Sequence, residues 1–414
     1  MKCKLEVKNL FKVFGGCPDE AIRLVKEGRE RTEIFARTGQ SLAVNNASFS
    51  VYEGEIFVVM GLSGSGKSTL VRLLNRLIDP TCGQVLFDGV DIASMSESQL
   101  RELRRRHISM VFQSFALMPH LTVLQNVAFG LELAGEPRSE RNQKAQKVLE
   151  QVGLGTRSNS FPHELSGGMQ QRVGLARALA SDPSVLLMDE AFSALDPMIR
   201  AEMQDELKRL QRNDKRTIIF ISHDIEEAFR IGDRIAIMQD GVVVQVGTKE
   251  EIVKQPRNDY VRSFFKNVDV THVYSALDVS DMPAESLLDA SRHSLQEARA
   301  RLLANDLEFG YVVDEQGKFL GIVSIASLDA GIELKGQADL LCALLGATHS
   351  VASTASVCSL YNTLANFRHD LPVVDPDGQF CGAISRSRVF ELLGRKPLAA
   401  ETPLVGVNEP DTCC

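Results

Sequence analysis

The run Gly61-Leu62-Ser63-Gly64-Ser65-Gly66-Lys67-Ser68-Thr69 constrains this chain more than any other feature. It fits the pattern G-x-x-x-x-G-K-[ST]. It follows a strand-like apolar run, Ile56 to Met60, and precedes a helical one, Leu70 to Leu74. A glycine-rich loop between strand and helix is a phosphate cradle. Glycines let the backbone wrap an anion without Cβ clashes. Successive amides and the helix N-terminus turn positive dipole toward it. Lys67 is expected to reach the β- and γ-phosphates of a nucleotide, and the Ser68 hydroxyl to ligate Mg²⁺.

Such a loop does not say how the nucleotide is used, and composition narrows the options. With 414 residues the chain can hold two or three domains around large cores. Its formal charge is -8 and its pI about 5.6, so no general basic field invites nucleic acid. The 8 cysteines are scattered without zinc spacing, which suits a reducing compartment. The N-terminus lacks the apolar core of a signal peptide, and no apolar run is long enough to cross a bilayer.

From residue 56 to about 247, strand-like runs alternate with helical ones, the mark of a mostly parallel, helix-flanked sheet. Residues 4–10 and 42–51 read as further strands. The charged stretch between them carries a weak helical stripe of Ile22, Val25, Ile34 and Phe35, with a break at Gly28. A different organisation begins near residue 270. The segment from Tyr311 to Ser324 recurs as Pro372 to Ser385, sharing Val, Val, Asp, Gly, Phe, Gly and Ser without a gap. Each copy reads as strand, Asp/Gly turn and strand after a helical stretch (294–304 and 356–367). Two such units can pack against each other. Residues 399–414 are acidic and are expected to be a disordered tail.

A phosphate loop needs an acid for Mg²⁺ and a group that activates water. The strand-like Val185 to Met188 ends in Asp189 and Glu190. Asp189 is expected on the metal, and Glu190 on the attacking water. Leu165-Ser166-Gly167-Gly168-Met169-Gln170-Gln171 resembles the signature sequence of ABC ATPases. Gln113 resembles that family's Q-loop glutamine, Ser193-Ala194-Leu195-Asp196 its D-loop, and His223 its switch histidine. The resemblance implies an α/β P-loop NTPase fold with an antiparallel β subdomain and a helical subdomain. It implies that Lys67, Glu190 and His223 are catalytic, and that Ser68, Gln113 and Asp189 hold Mg²⁺. It also implies that ATP is bound by Gly61 to Thr69 and Gln113. Ser166, Gly167, Gly168, Gln170 and Asp196 would close over ATP held by a second copy of the chain, head to tail. Phe14 stands where the family places an aromatic that stacks on adenine.

Gly61 to Asn75, Phe112 to His120 and Asp189 to Pro197 are similar to the ATP-binding subunits of glycine betaine/proline importers, as is the insertion at 18–41. The repeat resembles the tandem CBS domains that end this subfamily. The implied organisation is an ATPase domain at 1–268, CBS domains at 276–335 and 340–398, and the tail. The implied task is ATP-driven uptake of a compatible solute at the cytoplasmic face of a bacterial inner membrane. A separate permease would bind the segment from Gln113 to Asn126, and a substrate-binding protein would act indirectly. Alternatives are an importer for another quaternary amine or amino acid, such as choline or carnitine, and an ABC ATPase that serves no permease. The CBS pair departs from the nucleotide-binding pattern: where an aspartate would hold a ribose stand Ser327 and Arg388.

Overall fold

The apolar run from Ile56 to Met60 becomes an interior strand of a six-stranded sheet, as its unbroken hydrophobicity predicts. A computed structural model describes residues 2–112, 116–193, 195–266, 268–282, 284–334, 339–346 and 349–393. The chain divides into two compact units, Met1–Ser263 and Phe264–Cys414. The expected tail at 399–414 lies outside the described residues.

The first unit opens with β1 (Cys3–Phe14), α1 (Pro18–Lys26), α2 (Arg31–Thr38), β2 (Ser41–Tyr52) and β3 (Ile56–Met60). Next come α3 (Lys67–Leu74), β4 (Cys82–Phe87), β5 (Val90–Asp91), α4 (Glu97–Arg106) and β6 (Ile108–Val111). Three helices follow, α5 (Val123–Leu133), α6 (Arg138–Gln151) and α7 (Gly167–Leu179). The chain then returns to the sheet through β7 (Val185–Asp189), α8 (Pro197–Asp214), β8 (Thr217–Ser222), α9 (Ile225–Ile231), β9 (Arg234–Gln239) and β10 (Val242–Gly247). Short helices α10 (Lys249–Lys254) and α11 (Asp259–Ser263) close the unit.

The larger sheet runs β10-β9-β3-β8-β7-β6. All its pairings are parallel except that of β10 with β9. A second, antiparallel sheet runs β2-β1-β4-β5. The two sheets and α3 share one core that includes Leu5, Val7, Phe57, Leu70, Leu187 and Ile219. The Phe49 and Phe57 rings stack there, centroids 5.2 Å apart. Helices α5, α6 and α7 form a separate layer around Val127, Leu131, Leu149 and Val173.

The charged stretch after β1 is two helices, as its stripe and Gly28 imply. Gly28 takes φ +78° and ends α1, with the Gly28 amide donating to Val25 and the Arg29 amide to Leu24. Ile34 is fully buried, with Ile22 and Val25 partly so. Phe35, expected on the same stripe, is 58% exposed. The register explains it: Ile34 already fills the space over Val13 and Leu42, so its neighbour faces outward.

The second unit contains α12 (Ala276–Val279), β11 (Leu287–Asp289), α13 (Leu295–Ala304), β12 (Phe309–Val313), β13 (Phe319–Ser324) and α14 (Ile325–Leu334). It continues with β14 (Val351–Ala352), α15 (Tyr361–Asn366), β15 (Leu371–Val374), β16 (Phe380–Ile384) and α16 (Arg386–Leu393). Two like sheets result, β11-β12-β13 and β14-β15-β16, each with one parallel and one antiparallel pairing. The repeated Asp and Gly build identical turns. Asp314 accepts from the Gln316 and Lys318 amides, and Asp375 from those of Asp377 and Gln379. Gly317 and Gly378 both take φ +83°. The turns also exchange hydrogen bonds: the Phe319 amide donates to Gly378 and the Phe380 amide to Gly317, each at 3.0 Å. Phe380 stacks on Tyr311 of the other repeat at 5.3 Å.

Candidate functional site

The phosphate loop joins the C-terminal end of β3 to the start of α3. Its glycines are needed for shape. Gly66 takes φ +100°, and a Cβ there would run into the Ala43 carbonyl oxygen on β2. The loop is also pinned by the Gly241 amide, which donates to Ser65 at 2.9 Å. Leu62, Ser63 and Gly64 lie exposed along its rim, while Gly61, Ser65 and Lys67 are buried.

Lys67 bends back over the loop. Its Nζ donates to the carbonyls of Gly61 at 2.8 Å and Leu62 at 3.0 Å. Burial pushes its pKa down, opposed by the charges of Glu190 and Asp189. Among the described residues the buried Ser65 hydroxyl has no hydrogen-bond partner, an orphan the loop can offer a phosphate oxygen. Beside it the Ser68 hydroxyl donates to Asp189 Oδ1 at 2.9 Å. Burial pushes the Asp189 carboxyl up, against the Ser68 hydrogen bond and the Arg72 guanidinium 4.0 Å away. A hydroxyl and a carboxylate side by side are hard oxygen donors of the kind Mg²⁺ takes in small number. Among the described residues no cluster of three or more His, Cys, Asp or Glu offers a full cage instead. The residues therefore fit a nucleotide phosphate with Mg²⁺.

Glu190 follows β7 with φ +46°, in the left-handed region that an L-residue enters only at some cost. The turn is held from behind, since the Ser193 amide and hydroxyl both donate to the Glu190 carbonyl, at 3.2 and 2.9 Å. Its side chain is thereby set near His223, whose Nδ1 lies 3.6 Å from Glu190 Oε2. β3, β7 and β8 are adjacent and parallel, so Lys67, Ser68, Asp189, Glu190 and His223 all collect at one end of the sheet.

The signature stretch is elsewhere. Ser166 caps α7, accepting from the Met169 amide, and Gln170 donates to the carbonyls of Pro162 and Leu165. Asp196 likewise caps α8, accepting from Ile199 at 3.1 Å. Gly168 lies close against Ile199, since a Cβ would stand 2.8 Å from its Cγ2. Among the described residues no hydrogen bond joins Ser166 to Gln170 with the phosphate loop. Phe14 is 42% exposed at the end of β1, with Lys12 Nζ 5.0 Å from its ring centre. Gln113 lies outside the described residues, as does Phe115. Of the segment that follows, Leu117 packs onto the core of α5 to α7. Asn126 shapes it from inside, bonding both the amide and the carbonyl of Met118.

Several neighbours of the site escaped sequence reasoning. Arg31 of the insertion donates to the Gly64 carbonyl at 3.4 Å and faces Asp240 at 3.6 Å. The Tyr260 hydroxyl accepts from the Leu62 amide at 3.4 Å and donates to Met238. Buried Glu227 takes hydrogen bonds from Gln204 at 3.0 Å and from the Ser222 hydroxyl. No periodicity or motif links such residues to the loop.

Burial pushes the Glu227 carboxyl up, against those two hydrogen bonds. An acid with a raised folded-state pKa binds protons more tightly when folded. Stability therefore falls as pH rises from the ordinary carboxylate range through the folded pKa. Glu227→Gln keeps the hydrogen-bonding shape without the buried charge. It is expected to raise the melting temperature at pH 8 by about 2–4 °C, the response to roughly 1 kcal/mol in a domain of this size. The gain should shrink toward pH 4, as differential scanning calorimetry would show.

The family profile described as ABC transporter matches residues 44–193. The glycine betaine/proline betaine transport system ATP-binding protein ProV of Escherichia coli (strain K12) is 54% identical, over 96% of this chain and 99% of its own. The glycine betaine transport ATP-binding protein OpuAA of Bacillus subtilis (strain 168) is 45% identical, over 94% and 92%. Among solved structures, the bacterial ABC transporter cassette MJ0796, in dimeric form, is 34% identical with a TM-score of 0.50, covering 59% of this chain and 98% of that one. The same cassette in a post-hydrolysis state, bound to ADP and Pi, matches at 33% with a TM-score of 0.50. The phosphate loop, the acidic strand end and the capped signature helix are thus the parts of an ABC cassette, and the chain belongs to the family of ABC transporter ATP-binding proteins typified by those for glycine betaine and proline betaine.

Proposed function

We propose that this chain is the ATP-hydrolysing subunit of an importer for glycine betaine, proline betaine and related compatible solutes. The gathering of Lys67, Ser68, Asp189, Glu190 and His223 at the ends of neighbouring parallel strands carries the reading. ATP lies along Gly61 to Thr69. Lys67 leaves the Gly61 and Leu62 carbonyls for the β- and γ-phosphates. Phe14, exposed at a strand end, stacks on adenine. Ser68 and Asp189 hold Mg²⁺, with Gln113 completing the set. The bound metal supplies charge neutralisation across the phosphates. Glu190 orients the attacking water and draws its proton, and His223 steadies Glu190 and the terminal phosphate.

The signature stretch suits a second site. Ser166 caps α7 and Gly167 and Gly168 form its first turn, where helix amides have no intrahelical partner. Together with Gln170 and Asp196 they close over ATP held by another copy, and the dimeric cassette MJ0796 is similar to this unit. The stretch around Gln113 to Asn126 binds a membrane permease, which places the chain at the cytoplasmic face of the membrane. Among the described residues no helix is long and apolar enough to cross it. In the second unit, taken as a CBS pair at 276–335 and 340–398, the expected ribose aspartates are replaced. Ser327 is committed to capping, exchanging hydrogen bonds with Ser324, and the Arg388 amide donates to Ser385. That favours a packing or sensing role over adenosine binding.

Reconstituted with its permease and binding protein in liposomes, the chain is expected to couple betaine uptake to ATP hydrolysis. Uptake indifferent to ATP would overturn the assignment. Removal of residues 276–414 is expected to leave basal ATPase within about twofold of the full chain while altering its response to salt. An unfolded, inactive truncation would instead make the second unit a structural support.

A further inference from the structure

Arg200 sits in the first turn of α8, just after Asp196, and its guanidinium spans two loops. Nη2 donates to the carbonyls of Leu195 at 3.2 Å and Ser193 at 3.4 Å. Nη1 lies 3.6 Å from Asp224 Oδ2. Asp224 is the residue after His223, and its other oxygen caps α9 through the Glu226 amide at 2.9 Å. One turn further along α8, Gln204 holds Glu227, which in turn takes the Ser222 hydroxyl. The residues on both sides of His223 are therefore fixed from α8, while the imidazole itself stays free to face Glu190. The ring of contacts closes, because Ser193 also donates to the Glu190 carbonyl.

We propose that Arg200 is a positioning residue for hydrolysis: it ties the loop of Ser193 to Asp196 to the turn bearing His223, and so sets the imidazole against Glu190. The inference rests on the roles given above to Glu190 and His223. A guanidinium suits the task because its planar fork presents several donors in fixed directions. An ammonium is a point charge and cannot hold two carbonyls and a carboxylate in one plane. Arg200 Nε is buried without a hydrogen-bond partner among the described residues, a cost the site accepts in order to place the fork. The same helix turn carries Ile199, against which Gly168 of the signature helix packs. The signature helix therefore touches the same turn of α8 that anchors the turn bearing His223.

The test uses the full chain and three variants: Arg200→Met, which keeps the apolar stem, Arg200→Lys, and Asp224→Asn. In Arg200→Met, kcat for ATP hydrolysis is expected to fall about tenfold or more, the range of a misplaced catalytic group. KM, and the Kd of a fluorescent ATP analogue, should stay within about twofold. Arg200→Lys is expected to recover less than half of the loss. The double variant Arg200→Met/Asp224→Asn should be no slower than the slower single one, because both break one link. Wild-type kcat in Arg200→Met would overturn the proposal. So would a loss of kcat that tracks a falling melting temperature or an equal rise in KM, which would make Arg200 a packing residue. Should Arg200→Met fail to fold, Arg200→Lys and Asp224→Asn carry the same comparison. Glu190→Gln, assayed alongside, tests the underlying roles separately: rapid turnover there defeats the assignment of Glu190, whereas an unaffected Arg200→Met defeats only the clamp.

Discussion

Glu190→Gln is expected to bind ATP within about twofold of the native affinity and to lose about 10²–10⁴ of its turnover. The amide keeps the shape of the side chain and the hydrogen bonds around the turn, so the left-handed backbone at 190 and its Ser193 supports persist. What disappears is the carboxylate 3.6 Å from His223, which we propose takes the proton of the attacking water. ATP should then accumulate uncleaved, and with it the closed pair of subunits. Gel filtration in the presence of Mg²⁺ and ATP, set beside steady-state phosphate release, gives both readouts. Native turnover in this variant would remove Glu190 from the chemistry.

A larger effect on binding is expected from Lys67→Ala. Lys67 supplies the one ammonium buried within the loop, and truncating one partner of a buried charge pair costs about 2–5 kcal/mol. That is roughly 30- to 5,000-fold in the Kd for ATP. The change also leaves the Gly61 and Leu62 carbonyls without their donor, so the loop itself should loosen. Native protein gains melting temperature with ATP by mass action. The variant should gain little at the same concentration, while its melting temperature without ATP drops only modestly. An unchanged Kd would show that the amides and Ser68 suffice to hold the phosphates.

Much of this could be read from sequence where the chemistry is local. The loop at 61–69, the strand ending in Asp189 and Glu190, and the twin hairpins each depend on neighbours a few residues apart. Their period, turn residues and charge are therefore visible in one line of text. The two helices after β1 were legible from Gly28 and Ile34, but not the outward face of Phe35, because that depends on what already fills the space over Val13 and Leu42. Arg31, Arg200, Tyr260 and Glu227 were not legible at all. Their partners lie at Gly64, Asp224, Leu62 and Gln204, and only the assembled sheet and its loops bring these pairs together. Packing of the second sheet as β2-β1-β4-β5 is similarly non-local.

The reciprocal hydrogen bonds between the hairpin turns at Gly317 and Gly378 have a practical corollary for anyone dissecting this chain. Each turn finishes the other's backbone, so neither repeat is a free-standing module. A fragment ending between them, near residue 346, would present an unpaired strand end and an uncovered Tyr311 ring, an invitation to stick to its own kind. The two halves are better treated as one indivisible folding cassette, to be removed whole or kept whole.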